Sequence, residues 1–259
     1  MEKRHIAVWI GLVLNLIFLG IIAYIPAALE PYRDELDYQT QQMIEILPYV
    51  KILMTGGIAA QLASLAFLRN QPKLGLVLAM IGGIIFIPLG FIFIVGYLYD
   101  YNRVIYRSLK TVPKLAQLPF EVLLKFNKQR QINMVMLYGA IGVVLLVMGM
   151  DIGGIMVAMS IVLLINARRI QYYPMLAIAG DNLLFTPGQY AVCYEAPLSA
   201  FTVMTNSRSV LKLHIKTGEL NRVFRIAKSD LAEDENNTLD KILARLERST
   251  LITVIRNHK

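Results

Sequence analysis

Runs of apolar residues dominate the first two thirds of this chain, and a shorter alternating pattern replaces them near residue 168. A helix needs about 20 apolar residues to cross about 30 Å of hydrocarbon. Five apolar blocks are candidates, at residues 6–29, 47–68, 74–99, 134–150 and 152–165. The pattern predicts a membrane anchor of about five transmembrane helices, with three in residues 1–99 and a hairpin in 134–167.

Glycine and proline interrupt the third block. Gly82, Gly83 and Pro88 lie in its interior, which predicts one kinked helix. Only residues 69–73 separate this block from the second, so the two should form an antiparallel pair. Small residues at a spacing of four favour close helix packing. These candidate packing positions are Gly56, Ala60 and Ser64 in the second block, and Gly75, Ala79 and Gly83 in the third.

The fourth and fifth blocks are joined by Asp151, Gly153 and Gly154. One continuous helix over residues 132–167 would be about 54 Å long at 1.5 Å per residue, too long for a single crossing. Two shorter helices with an Asp-Gly turn explain the charge better. The alternative is an intramembrane Asp151 that couples to an ion.

Basic residues indicate which side of the membrane each loop occupies, because cytoplasmic loops carry an excess of Lys and Arg. The segment 100–133 and the end of the fifth block are both basic and should be cytoplasmic. With five crossings, however, Lys3, Arg4, Arg69 and Lys73 would lie outside. A four-crossing alternative, with one block re-entrant or interfacial, would place both termini inside. The basic residues predicted at the membrane interface are Arg103, Arg107, Lys110, Lys125, Lys128, Arg130, Arg168 and Arg169, and Lys114 lies among them.

The connector at 100–133 has its own pattern. A helix starting at Pro119 would turn Phe120, Leu123, Leu124 and Phe126 toward lipid while its lysines meet headgroups. This predicts an interfacial amphipathic helix. An ordinary solvated linker is the alternative.

From residue 168 to 259 the pattern is typical of a soluble α+β domain. Period-two alternation predicts strands at 175–186 (a pair around Gly180-Asp181-Asn182), 190–194, 200–205, 209–215 and 221–227. Thr238 then caps a helix, whose apolar stripe is Leu239, Ile242, Leu243 and Leu246.

This segment resembles bacterial membrane-anchored pleckstrin-homology-like (PH-like) domains over residues 171–250. The resemblance rests on the opening strand pair 176–185, the stretch Tyr194-Glu195-Ala196-Pro197-Leu198 and the final amphipathic helix. Tyr194 stands where the family usually has Trp. The resemblance implies a nearly closed antiparallel β-barrel or roll capped by the C-terminal helix. It also implies a binding or scaffolding role without a catalytic residue.

The composition of the chain limits which binding and catalytic functions we expect. The charged fraction is 17%, below the roughly 25% of soluble proteins, and the net charge is +8. In a membrane protein this excess meets anionic lipid rather than nucleic acid. Cys193 is the only cysteine, so an intrachain disulfide is impossible, and His5, His214 and His258 lack metal-ligand spacing. No phosphate-binding loop or nucleophile elbow is present, so we expect no enzyme activity and no cofactor.

The candidate binding site is basic. Lys212, Lys216, Arg222 and Arg225 lie on adjacent predicted strands and would bind an anionic lipid or an acidic partner. A solvated mixed-charge surface is the alternative. We therefore expect a multi-pass inner or plasma membrane protein of bacterial type, with its C-terminal domain in the cytoplasm. That domain would bind lipid, a protein partner or a second copy of the chain.

A small transporter or channel component is the competing hypothesis. It rests on the polar residues Asn15, Lys51, Gln61 and Asp151 within or beside apolar blocks.

Overall fold

The computed structural model describes residues 4–112, 119–218, 220–232 and 237–257, with side chains as far as residue 249. Lys3 and Lys114, two of the basic residues named above, lie outside these ranges. The chain divides into two compact units, Met1–Val104 and Ile105–Lys259. Each unit is described by itself.

The first unit is helical. Its helices are α1 (Ile6–Leu29), α2 (Tyr38–Phe67), α3 (Pro72–Ile84) and α4 (Gly90–Ile105), with a 3-10 helix at Glu30–Glu35 between the first two. The side chain of Asp37 caps α2 by accepting from the Thr40 amide at 3.2 Å. This capping fixes the start of the second helix after the acidic loop.

The prediction of one kinked helix over residues 74–99 is wrong. The third apolar block forms two helices, which are separated at residues 85–89. A Cβ added at Gly83 would contact Ile94, and one added at Gly90 would contact the backbone of Gly83. A continuous helix would hold residues seven or eleven positions apart about 10–16 Å from each other along its axis. The chain therefore folds back on itself at this break.

The second unit combines a helical hairpin with two β-sheets. The hairpin is α5 (Lys128–Val147) and α6 (Ile152–Ile170), joined by a turn in which Gly149 has φ +76°. The structure has a pair of helices where the sequence predicts a hairpin, and both helices extend beyond the apolar blocks on their outer ends. The two helices approach closely, since a Cβ at Gly142 would lie 2.9 Å from the Gly153 carbonyl oxygen. The Ser160 hydroxyl donates to the Val135 carbonyl at 2.9 Å and links the same two helices.

The connector before α5 contributes two strands to the β-sheet part of the second unit. They are β1 (Lys110–Thr111) and β2 (Val122–Lys125). Leu124 and Phe126 are buried in the core of the domain, so the predicted amphipathic helix from Pro119 is wrong for this segment. The alternative prediction, a solvated linker, is also wrong for this segment. The α5–α6 hairpin is inserted between β2 and β3, and the domain begins well before residue 168.

The remaining strands are β3 (Pro174–Ala179), β4 (Asn182–Phe185), β5 (Tyr194–Pro197), β6 (Phe201–Asn206), β7 (Val210–Thr217) and β8 (Leu220–Ala227). Short 3-10 helices follow β5 at Leu198–Ala200 and β8 at Lys228–Asp230. These strands confirm most of the predictions from alternation, except that residues 190–193 precede the strand at Tyr194 instead of forming one.

The strands form two antiparallel sheets. One has the order β1-β5-β4-β3-β2 and the other β6-β7-β8. Helix α7 (Thr238–Asn257) buries Leu239, Ile242, Leu243 and Leu246 against the core, as its stripe predicted. Over the described residues the two sheets do not close into a barrel. The buried ring of Phe185 in the first sheet contacts the rings of Phe201 and Phe224 in the second, and these contacts hold the sheets together.

Four helices of the described chain are long and apolar enough to cross a membrane. They are α1, α2, α5 and α6, and the shorter α3 is also apolar. The protein is therefore of the membrane-associated class.

Candidate functional site

The strand register assigns a side to each basic residue of the small sheet. Lys212 is paired with Arg225, His214 with Val223, and Lys216 with Asn221. Residues directly opposite each other in an antiparallel pair point to the same face. The alternate positions Leu211, Leu213 and Ile215 are fully buried, so Lys212, His214, Lys216 and Arg225 share the outward face. We call this the basic sheet face.

Strand β6 extends this face. Thr202 lies opposite His214, and Thr205 lies opposite Lys212 after an irregularity in the register. Both threonines are exposed. The face therefore carries cations, hydroxyl groups and the exposed side chain of Val223, with no carboxylate among its described residues.

The pairing of Lys212 with Arg225 sets two cations directly opposite each other. Such like-charge pairs destabilise a sheet unless something anionic is near. Within the described residues, no carboxylate lies within ion-pair distance of either cation. Positive charge on this face is therefore left to solvent or to a bound anion.

Arg222 does not belong to this face. It is paired with Ile215, a fully buried residue, and lies on the same side as Phe224 and Ile226 at the edge of the core. The prediction of one four-residue patch is wrong for Arg222, because residues three apart on a strand point to opposite sides. His214, which was not in the predicted patch, takes its place and hydrogen-bonds Asn221 Oδ1 through Nε2 at 2.6 Å.

Several predicted interface cations are held by specific partners. Lys110 Nζ is 2.9 Å from Glu195 Oε2, and Arg103 pairs with Asp100 at 4.0 Å. Arg130 forms an ion pair with Asp230 and also donates to Ser229. Arg169 donates to the Ala191 carbonyl at 2.8 Å, and its guanidinium lies 5.0 Å from the centre of the Tyr173 ring. These contacts give the four cations structural roles.

The other predicted interface cations are exposed at the surface. Lys125 ends β2, Lys128 begins α5, and Arg168 lies in the last turn of α6. Arg107 is also exposed, just after α4. Three of them thus flank the base of the α5–α6 hairpin.

The two sets of small residues have different surroundings. In α3, Gly75 and Gly83 lie too close to other backbone or side chains for a Cβ, and Ala79 is buried. In α2, Ser64 is buried and Ala60 is partly buried, whereas a Cβ added at Gly56 would have no neighbour within 4 Å. The packing position is Gly57, whose added Cβ would lie 2.9 Å from the Phe86 ring. Gly56 is therefore not a packing residue of this unit.

Of the four polar residues behind the transporter hypothesis, two meet inside the helical unit and two are exposed. Asn15 and Gln61 are fully buried, and Asn15 Nδ2 donates to Gln61 Oε1 at 3.1 Å. Gln61 Nε2 donates to the Gly82 carbonyl at 2.8 Å. Lys51 is exposed on α2, and Asp151 is exposed in the turn of the α5–α6 hairpin. The hydrogen bonds of these two buried amides link α1 to α2 and α2 to α3.

Cysteine and metal chemistry finds little support in the described residues. Cys193 is fully buried, and burial raises the pKa of its thiol to about 12. Such a thiol is neutral at physiological pH and a poor nucleophile. No group of three or more His, Cys, Asp or Glu side chains that would hold a metal ion occurs in the part of the chain that the structure describes.

Comparisons of this chain with protein-family models, with curated proteins and with solved structures find no match.

Proposed function

We propose that this protein is a non-enzymatic membrane-anchored binding module. Its C-terminal PH-like domain would face the cytoplasm and bind an anionic partner, either a protein or lipid headgroups. The observation that carries the proposal is the basic sheet face, where Lys212, Lys216 and Arg225 point outward without carboxylate partners among the described residues.

The spacing of the cations suits an extended anionic surface. Lys212 and Lys216 lie four residues apart on one strand, about 13 Å from each other at 3.3 Å per residue. Arg225 adds a second cation directly across the ladder from Lys212. Cations spread over two paired strands complement several negative charges at once.

A PH-like identity is supported by two antiparallel sheets packed against a C-terminal helix. The cytoplasmic orientation is supported by basic residues at the base of the α5–α6 hairpin, where α5 begins and α6 ends. These residues are Lys125, Lys128 and Arg168. Two strands of the domain come from residues 110–125, so a fragment that starts at residue 170 would lack part of the sheet. The full chain is the right material for a test.

The test uses full-length protein in phosphatidylcholine nanodiscs. Binding of dioctanoyl phosphatidylglycerol is measured by titration, and protein partners are captured in cells by a photocrosslinking residue in place of the exposed Thr202. We compare wild type with a Lys212→Ala/Lys216→Ala/Arg225→Ala variant. Three exposed contacts of about 0.5 kcal/mol each make the expected loss about tenfold.

A matched control removes the same number of positive charges from the exposed side of α7, as Lys241→Ala/Arg245→Ala/Arg248→Ala. Binding should survive in this control and in Arg222→Ala. Equal losses in both triple variants would reduce the effect to net charge. Absence of any lipid binding and of any crosslinked partner would refute the proposal.

A further inference from the structure

Contacts at one end of the helical unit bring three helix ends together. The His5 amide before α1 donates to both oxygens of Asp100 in α4, at 2.9 and 3.1 Å. Arg4 donates to the Leu65 carbonyl near the end of α2 at 3.1 Å. Tyr97 of α4 donates to the Ser64 carbonyl of α2 at 3.1 Å. The start of α1, the end of α2 and the end of α4 therefore share one end of the unit.

The path of α3 and α4 between these contacts is a hairpin. Near the shared end, a Cβ at Gly75 of α3 would contact the Tyr97 hydroxyl of α4. Farther along, Gly83 of α3 meets Ile94 and Gly90 of α4. Rising numbers in α3 thus match falling numbers in α4. The two helices are antiparallel, and the chain returns to the end from which it started.

The hairpin is too short to cross a membrane. Helix α3 has 13 residues and α4 has 16, or about 20 and 24 Å at 1.5 Å per residue. Its tip at Phe86 lies beside Gly57 of α2, which is ten residues, or about 15 Å, from the end of that helix at Phe67. The tip therefore reaches about half of the roughly 30 Å hydrocarbon thickness.

Burial along α1 and α2 also shows how far the α3–α4 hairpin extends. In α1 the buried residues are Val8, Gly11, Leu12 and Asn15, all in the half near the shared end. In α2 they begin only at Met54 and continue to Ser64. No residue of α1 after Asn15, and none of α2 before Met54, is buried. The α3–α4 hairpin covers only the half of α1 and α2 that lies near the shared end.

The tip has the chemistry of a membrane interior. No Asp, Glu, Lys or Arg occurs between Lys73 and Asp100, and Ile84 and Ile87 are exposed at the turn. Irregular backbone at membrane depth needs partners within the protein. The amides of Phe86, Ile87 and Gly90 donate to the carbonyls of Gly83, Ile84 and Phe86. Gln61 Nε2 donates to the Gly82 carbonyl.

We propose that α3 and α4 form a re-entrant hairpin, which enters the membrane from one side, turns at residues 85–89 near mid-depth, and returns to the same side. Only α1, α2, α5 and α6 then cross. The start of α1, the loop at residues 68–71 and the chain after residue 105 lie on one side. This goes beyond the binding function and does not depend on it.

The distribution of basic residues agrees with this topology. Five crossings would place Lys3, Arg4, Arg69 and Lys73 opposite the basic residues of 103–130 and 168–169. With the re-entrant hairpin, all of these residues lie on one side, and Arg33 of the acidic loop lies on the other. A single cytoplasmic side then satisfies the positive-inside rule.

The experiment is cysteine mapping in a Cys193→Ala background, since Cys193 is the only native cysteine. Single cysteines replace the exposed residues Asp34, Asn70, Ser108 and Asp151. Intact cells and inside-out vesicles are labelled with a membrane-impermeant maleimide. Arg69→Cys and Arg107→Cys form a second pair if Asn70→Cys or Ser108→Cys fails to accumulate.

We expect positions 70 and 108 to label from the same side, and positions 34 and 151 from the opposite side. Labelling of 70 and 108 from opposite sides would overturn the re-entrant hairpin and restore a fifth crossing. If 70 and 108 share the outer side, the hairpin holds and the cytoplasmic placement in the proposed function fails. The two proposals are therefore separable.

Discussion

Arg130 in the first turn of α5 forms an ion pair with Asp230, which lies 100 residues later in the chain. Asn127, the residue that caps α5, donates its backbone amide to the Asp230 carbonyl at 2.8 Å. Phe126 also forms an isolated bridge with Leu231. The start of the α5–α6 hairpin is thus held against the segment that follows the last strand of the domain.

Alanine at Arg130 or Asp230 should weaken this attachment modestly. The side chains are 51% and 31% exposed, so the pair contributes about 0.5–1 kcal/mol after screening. A double-mutant cycle of Arg130→Ala and Asp230→Ala, read as thermal unfolding in one detergent, should give a coupling energy in that range. Strictly additive effects would show that the ion pair contributes nothing, and raising the salt concentration in wild type should mimic part of the loss.

Substitution by alanine should affect the stability of the helical unit differently at two of its glycines. A Cβ at Gly82 would lie 2.6 Å from the Gly57 carbonyl oxygen and 3.0 Å from the Gln61 nitrogen, and these backbone atoms cannot move away cheaply. Gly82→Ala should therefore destabilise by about 1–3 kcal/mol. Gly56→Ala meets no neighbour within 4 Å and should be neutral or stabilise by up to about 1 kcal/mol, since alanine favours the helix.

Both glycine variants are compared in the same detergent by their melting temperatures. They change the same residue type in membrane helices, so differences in expression or micelle binding largely cancel. A loss of stability in Gly56→Ala as large as that in Gly82→Ala would contradict the packing described above.

The spacing of apolar residues within single segments predicted the elements that have one buried face and one exposed face. Strands β6, β7 and β8 alternate because one face packs on the core, so their bounds and faces were readable. The stripe of α7 was readable for the same reason. Alternation also places Arg222 with Phe224 on the core side, although charge alone suggested grouping it with Arg225.

The features that could not be predicted depend on distant partners. Strand β2 has four residues, and its partner β3 follows only after the entire α5–α6 hairpin. Its apolar residues satisfy a helical pattern equally well. Hydropathy also does not show where a chain reverses its direction. The apolar block at 74–99 therefore could not predict that Gly90 packs against Gly83. Such contacts are decided by packing of backbone against backbone.

The buried amide pair Asn15 and Gln61 should behave non-additively. Gln61→Met leaves the Gly82 carbonyl and the Asn15 amide without their partner, which should cost about 1–2 kcal/mol. Asn15→Val should cost less, because Asn15 Oδ1 has no hydrogen-bond partner among the described residues and its removal offsets part of the loss. The double variant should be more stable than the sum predicts, because it leaves fewer unpaired polar groups. Additive melting shifts would contradict this account.

Cys193 should respond to alkaline pH through its protonation. Its pKa rises from an ordinary 9.0 to about 12 because burial disfavours the thiolate. The folded protein therefore holds this proton more tightly than the unfolded chain does. The resulting stability is fully present below about pH 9 and is lost as pH rises toward about 12, by at most about 1.4 kcal/mol per pH unit. Cys193→Ala should lose stability less steeply than wild type over that window in thermal melts. At pH 8, N-ethylmaleimide should modify Cys193 only after denaturation, and reaction at the rate of a free thiol in folded protein would show that the residue is accessible.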